Sequence, residues 1–346
     1  MKFRAFKYLT AFLLPLLCFI SFLSDGLITF LPLFFAFCLL PLAEFFIGKN
    51  SSNLEGLQRE IMNEDRWYDY IIYFTVPVQV ACMLVFLFQI KNGAGDGFSI
   101  AGKITSMGLM CGVFGINVAH ELGHRNTSHE KLMSRLLLAT SMYLHFYIEH
   151  NRGHHKNVGT PEDPASARKG ENLYFFWFRT IVLSFFSAWK IVRKERERKK
   201  LPTWSIGNEL IQYLLIQLAI CISIFIYADL FGLLCFLGAS LMGILLLESV
   251  NYIEHYGLYR NKVSEFRYED VQPIHSWNSD FILGRLFLFE LTRHSDHHWD
   301  PSKHYEFLDS IEDSSHLPAG YPAMILCAML PPLWFRVMNK RLSAFP

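Results

Sequence analysis

Residues 209–258 read ELIQYLLIQLAICISIFIYADLFGLLCFLGASLMGILLLESVNYIEHYGL. Two apolar runs, 209–227 and 230–250, meet near Asp229, and a histidine-bearing segment follows the second run directly. Each run approaches the roughly 20 apolar residues that a helix needs to cross a bilayer. The stretch therefore predicts a membrane hairpin that delivers a histidine to one membrane face.

Four further runs of this kind precede it, at 8–23, 27–47, 71–90 and 100–119. Ser24, Asp25 and Gly26 join the first two as a tight turn, and the glycine-rich 91–97 segment separates the next two. Lys2, Arg4 and Lys7 before the first run imitate a secretory signal, but Ser21-Phe22-Leu23 offers no small-residue cleavage site, so a retained first helix is expected. The predicted fold class is an all-α integral membrane protein, one domain over 1–346, with six transmembrane helices and a histidine-rich cap.

Composition agrees. Of 346 residues, 52% are hydrophobic, 16% aromatic and 18% charged, against about 25% charged in soluble domains. The formal net charge of +1 gives no reason to expect a nucleic-acid partner. The seven cysteines, Cys18, Cys38, Cys82, Cys111, Cys221, Cys235 and Cys327, lie in apolar runs without a CxxC pair. They read as small hydrophobes rather than disulfide, zinc or iron–sulfur ligands. No redox domain is then fused to the chain, and electrons must come from a separate protein. With the N-terminus cytoplasmic, six crossings return the C-terminus to the same side. The outer segments then hold only Lys91 and Lys103, as the bias of basic residues toward the cytoplasm requires. Segments 120–208 and 251–346 become the cytoplasmic catalytic part, with 132–148, 173–192 and 319–338 apolar enough to lie against the membrane interface.

Nine of the fourteen histidines fall in four groups: His120 and His124; His150, His154 and His155; His255; and His294, His297 and His298. His120/His124, His150/His154 and His294/His298 are i, i+4 pairs that share a face on a regular helix. The adjacent pairs His154-His155 and His297-His298 point about 100° apart, which suits two different ions. Nine imidazoles exceed the six positions of one octahedral ion. Structural zinc takes four ligands and catalytic zinc three plus water, so the number points to a redox-active pair, with iron the default for oxygen chemistry. Each group carries an acid, Glu121, Glu149, Glu254 or Asp296, expected to accept ring N–H bonds or to offset metal charge. His129, His145, His275, His304 and His316 lack the spacing and read as surface or supporting histidines.

These groups resemble the boxes of the bacterial membrane alkane 1-monooxygenases. The HELxHK box appears at 120–125 with Arg125 where lysine is usual, and EHxxGHH at 149–155 is followed by Thr160-Pro161-Glu162-Asp163-Pro164-Ala165-Ser166-Ala167-Arg168. NYxEHYGL stands at 251–258, and LQRHSDHH at 291–298 with Thr292 in place of glutamine. The similarity covers roughly residues 50–340. It implies a desaturase-like fold, a non-haem di-iron centre of two Fe ions on the nine histidines, and terminal hydroxylation of a medium- to long-chain alkane by O2. It also implies electrons from rubredoxin and its reductase, and a multi-pass position in the bacterial inner membrane with both termini and the active site cytoplasmic. The apolar substrate would enter from membrane lipid. Phe34, Phe35 and Phe37 could narrow its path, although a Phe-rich helix more often serves lipid contact or packing, so no channel residue is assigned. Arg152, Lys156, Arg168 and Lys169 could face the electron donor, while 193–200 reads as a solvated helix end. The nearest alternative is a membrane desaturase or hydroxylase of fatty acyl or alkylaromatic substrates. A zinc protease built on His120-Glu121-x-x-His124 leaves seven clustered histidines unexplained.

Overall fold

The computed structural model describes residues 4–93, 95–265 and 267–343. Helix α1 (Ala5–Phe22) starts in 3-10 turns and becomes α-helical at Leu13. It is followed by α2 (Gly26–Ile47), the short α3 (Gly56–Asn63), α4 (Trp67–Lys91) and α5 (Gly97–His124). Then come α6 (Ser128–Thr140), α7 (residues 145–157), α8 (Leu173–Arg198) and the 47-residue α9 (Glu209–His255). The C-terminal part holds β1 (Lys262–Ser264), β2 (Arg267–Tyr268), β3 (Trp277–Asn278), α10 (Ile282–Phe287), α11 (His294–Trp299), β4 (Ser315–His316), α12 (Tyr321–Ala328) and α13 (Pro331–Leu342). The strands form two small pairs, β1 antiparallel to β2 and β3 parallel to β4. Side chains fix where the long helices begin: Asp96 accepts from Ser99 N, Asn172 from Phe175 N, and Asn208 from Leu210 N and Ile211 N. Each satisfies an amide left open by the first turn.

A straight helix as long as α9 would reach about 70 Å, more than twice the hydrocarbon core of a bilayer. It breaks instead at Ala228 and Asp229, the latter at φ 53°. Contacts show that the two arms run in opposite directions. Glu209 at one end pairs with Arg152 in α7, beside the histidines, and His255 at the other end lies among them. Between them, Tyr227 lies under Lys91 at the far end of α4, with Nζ 4.1 Å from the ring centre.

Among the described residues, six helices are long and apolar enough to cross a membrane by length and composition: α1, α2, α4, α5, α8 and α9. The sequence reading counts two spans in α9 and none in α8. The contacts of α8 explain the difference. Tyr174 bonds Met329 O, Trp177 bonds Ser249, Thr180 bonds Glu248, Ser187 bonds Glu149 and Glu195 pairs with Arg152. All these partners belong to the histidine-bearing end, so α8 runs along that end rather than down the bundle. Many side chains on the other helices face outward and are apolar, with Leu27, Phe45 and Ile226 each at least 78% exposed. An all-α membrane fold puts such residues against lipid.

Glycine lets the bundle close at its centre. The second arm of α9 lies so near α5 that a Cβ on Gly243 would stand 2.5 Å from the Cys111 Cβ, and one on Gly108 2.7 Å from Met242. Membrane helices pack closely through such small residues. Gly243→Ala should therefore destabilise the fold by about 1–3 kcal/mol, an overpacking cost. Its thermal midpoint in detergent should fall, whereas Gly97→Ala, which meets open space, should melt like the parent.

Candidate metal centre

The four histidine groups converge from α5, α7, the end of α9 and α11. Their rings form two sets. His120, His124, His150, His155 and His297 bring one nitrogen each to within 4.8 Å of all the others, and His154, His255, His294 and His298 do the same. Nearest Nε2–Nε2 separations are 2.9 Å for His150–His155, 3.1 Å for His124–His150 and 3.2 Å for His155–His297 in the larger set. In the smaller set His154–His298 and His255–His294 are both 3.2 Å.

The adjacent pairs divide between sets, as their angular separation on a helix requires: His155 and His297 in one, His154 and His298 in the other. The i, i+4 pairs His120/His124 and His294/His298 stay together. His150/His154 does not, and this corrects the expectation that the pair shares a face. Residues His150–His154 form a π turn. Its i→i+5 closure widens the helix by about one residue per turn, so the ring that meets His150 is that of His155.

Do these side chains fit a metal? Nitrogens on adjacent positions of one ion, each bonded at about 2.0–2.1 Å, lie about 3 Å apart, and the closest separations here are 2.9–3.2 Å. Both ring nitrogens of His120 are buried without a hydrogen-bond partner. The chemistry also fits: five rings outside the long apolar helices, His150, His155, His294, His297 and His298, are held well below the usual imidazole range. Burial is the main cause and neighbouring histidines add to it. Neutral imidazole is the metal-binding form. His154 goes the other way. Burial lowers it, but the Asp163 carboxylate 2.9 Å from its Nδ1 raises it on balance. The two sets could therefore each hold a metal ion.

The acids behave less uniformly than their positions in sequence suggest. Glu254 places Oε2 3.2 Å from His294 Nε2 and accepts from the Tyr321 hydroxyl at 2.7 Å. Glu121 turns away to Arg125, at 2.8 Å, and to the amide of Tyr305. Asp296 is taken by Lys303 at 2.7 Å and by the Asp309 amide, and Glu149 accepts from Ser187. None of these three bonds a ring, because a nearer donor competes for each. The carboxylate that does orient a ring is Asp163, which the sequence reading quoted in its loop without a role. Ser166 and the amide of Ala165 hold it in place. Among the remaining histidines, His304 contacts Arg125, His275 bonds the Gln272 amide, His316 faces Asp280, His145 lies against Tyr143 and His129 against Tyr73. None joins either set.

An apolar cavity of about 80 Å³ opens beside the sets, between Phe35, Phe37, Val113, Leu246, Phe287 and Ile325. Its inner wall includes Asn117, Leu291 and Tyr321. The first two stand three residues before His120 and His294, and the third reaches His294 through Glu254. None of its lining residues is charged.

A sequence model of the fatty acid desaturase family matches residues 99–326. The chain is 38% identical to alkane 1-monooxygenase 2 of Alcanivorax borkumensis over 90% of its own length and 82% of that protein's. It is also 38% identical to an alkane 1-monooxygenase of Pseudomonas putida, over 87% and 75% respectively. A xylene/toluene monooxygenase hydroxylase component of Pseudomonas putida is 28% identical over 79% of this chain and 73% of its own.

Two outcomes follow from the site. Asp163→Asn should weaken metal retention about 10- to 100-fold, the usual effect of losing a carboxylate behind a ligating ring, as read by metal analysis under chelator competition. Metal-free protein should lose thermal stability as pH falls below about 6.5, where unfolded histidines take up protons. The five rings with lowered values stay neutral there, so the unfolded state binds more protons and stability rises with pH. His154, with its raised value, contributes in the opposite sense but is outnumbered. A midpoint that does not move between neutral and mildly acidic pH would show that the rings are not buried as neutral imidazoles.

Proposed function

The chain belongs to the alkane 1-monooxygenases of the fatty acid desaturase family, and from that premise we propose that it hydroxylates the terminal carbon of medium- to long-chain n-alkanes. One oxygen atom of O2 enters the C–H bond to give a 1-alkanol. Two electrons and two protons reduce the other atom to water. The observation that carries this reading is an uncharged cavity whose wall includes Asn117, Leu291 and Tyr321, residues next to or in contact with the elements that carry the two sets of imidazoles.

Two iron ions, held one by His120, His124, His150, His155 and His297 and one by His154, His255, His294 and His298, would supply the oxidising power for an unactivated methyl group. The protein's own part is positioning and exclusion of water. Phe35, Phe37, Phe287 and Ile325 give the cavity apolar walls, and its volume of about 80 Å³ suits the end of a chain rather than its whole length. The cavity wall has no cation to hold the carboxylate of a fatty acid, which favours a hydrocarbon. Asp163 fixes the ring of His154, and Tyr321 fixes Glu254 beside His294.

Electrons would come from rubredoxin at the histidine end, placed on the cytoplasmic side of the inner membrane. In this arrangement α8 lies along the interface, and the two arms of α9 cross the bilayer. Lys156, Arg168 and Lys169 are exposed near α7 and suit an acidic donor. Arg152, the fourth candidate in sequence, is already paired with Glu195 and Glu209 and has less charge to offer.

Purified protein loaded with iron and supplied with reduced rubredoxin, its reductase and a series of n-alkanes should give 1-alkanols. Their hydroxyl oxygen should come from isotopically labelled O2. About one zinc per chain with no oxygen-dependent alcohol would overturn the proposal. Selective turnover of alkylaromatic side chains, or desaturation of acyl chains, would replace the substrate.

A further inference from the structure

The loop between α8 and α9 exposes apolar side chains on a rigid support. Trp204 is 79% exposed, Ile206 72% and Leu201 46%. Their backbone is fixed on every side. Arg196 donates to Pro202 O at 2.8 Å, Gly207 O at 2.6 Å and the Ser205 hydroxyl at 2.8 Å. Asn208 Nδ2 donates to Thr203 O and Gln212 Nε2 to Ile206 O, both at 2.9 Å. Trp204 rests on Trp189 of α8, ring centres 4.7 Å apart. The loop is thus held in a shape that keeps apolar groups in the open, at a cost that water alone would not repay.

The surrounding charge is one-sided. Lys190, Lys194, Arg198, Lys199 and Lys200 are exposed. Among the described residues none of them has a carboxylate partner. The two acids of the segment are committed elsewhere, Glu197 to Arg193 at 2.7 Å and Glu195 to Arg152 at 2.9 Å. Lys190, Lys194 and Arg198 follow one another at i, i+4 spacing, so they form a row on one side of α8. The segment read in sequence as a solvated helix end is therefore a cationic face beside an apolar knob.

We infer that this surface binds the headgroups of anionic phospholipids, with Trp204, Ile206 and Leu201 entering the boundary between headgroups and acyl chains. Position supports it. Glu195 ties the end of α8 to the histidine-bearing end of the bundle. Exposed Phe186 on α8 and Leu214 and Leu215 on α9 continue the apolar surface on either side of the loop. Tryptophan favours the membrane–water interface, and clustered Lys and Arg there attract anionic lipid. An acidic protein would match the cations but would leave the apolar knob in water.

The test is native mass spectrometry of the protein released from bilayer discs of equal phosphatidylglycerol and phosphatidylcholine, with the thermal midpoint as a control for folding. The parent should retain phosphatidylglycerol in preference. Each cation near a membrane surface changes affinity about fivefold, so K194Q/R198Q/K199Q/K200Q should lower that retention by at least this factor. Replacing the three lysines by arginine should preserve it. W204S/I206S should weaken retention with the charges intact. Equal retention of the two lipids, or unchanged retention in the glutamine variant, would overturn the inference. So would a glutamine variant that keeps its lipid but needs more reduced rubredoxin, because the surface would then serve the electron donor.

Discussion

Nine imidazoles packed together, seven of them buried and His124 and His155 partly so, have no comfortable charge state of their own. Protonated, they repel across separations of 2.9–3.2 Å. Neutral, they leave buried ring nitrogens unpartnered, among them both nitrogens of His120. A bound cation eases both difficulties, since one nitrogen of each ring gains a partner without taking up a proton. The helix ends are arranged around this requirement. α5 and α9 stop at His124 and His255, and α11 begins at His294. The rest of each helix serves to bring those ends together.

Holding the ends there takes a second set of buried charges. Arg125 is 3% exposed, with Glu121 at 2.8 Å and Asp69 at 3.1 Å, Glu130 and Glu306 within 4 Å, and a contact to His304. One guanidinium thus ties α4, α5, α6 and the segment after α11. A buried cation facing several carboxylates is expensive to strip of either partner, and the planar, many-donor head of arginine suits the position better than a lysine ammonium. Tyr8 and Lys7 reach Glu290 in the same manner, anchoring the N-terminal helix to the C-terminal segment. The cap is therefore latched to the bundle from both ends of the chain.

Much of this was legible in the residues. Apolar runs marked the long helices, and i, i+4 and adjacent histidines marked the clusters. What escaped the sequence has identifiable physical causes. Glu121 sits four residues before Arg125, a spacing that already favours an ion pair on one helix face, so its diversion from the histidines could have been read. Asp163 stands between Pro161 and Pro164 in a loop nine residues beyond His154, and only the tertiary path of that loop brings it to the ring. α8 is apolar enough to imitate a span. The sequence places 173–192 against the membrane interface instead, and what it does not carry are the contacts with Glu248, Ser249 and Glu149, which depend on how the helices pack.

The π turn at His150–His154 has a consequence at the level of the gene. Such a turn is equivalent to one residue inserted into an α-helix. Deleting a single codon for Asn151, Arg152 or Gly153 would restore the regular repeat and leave everything beyond it in register. His155 would then follow His150 by four residues, the spacing that keeps two rings on one face of a regular helix. Keeping His150 and His155 together in the set of five thus requires only that turn and spacing change together, and a frame-preserving deletion there would leave that pairing in place without replacing a single histidine.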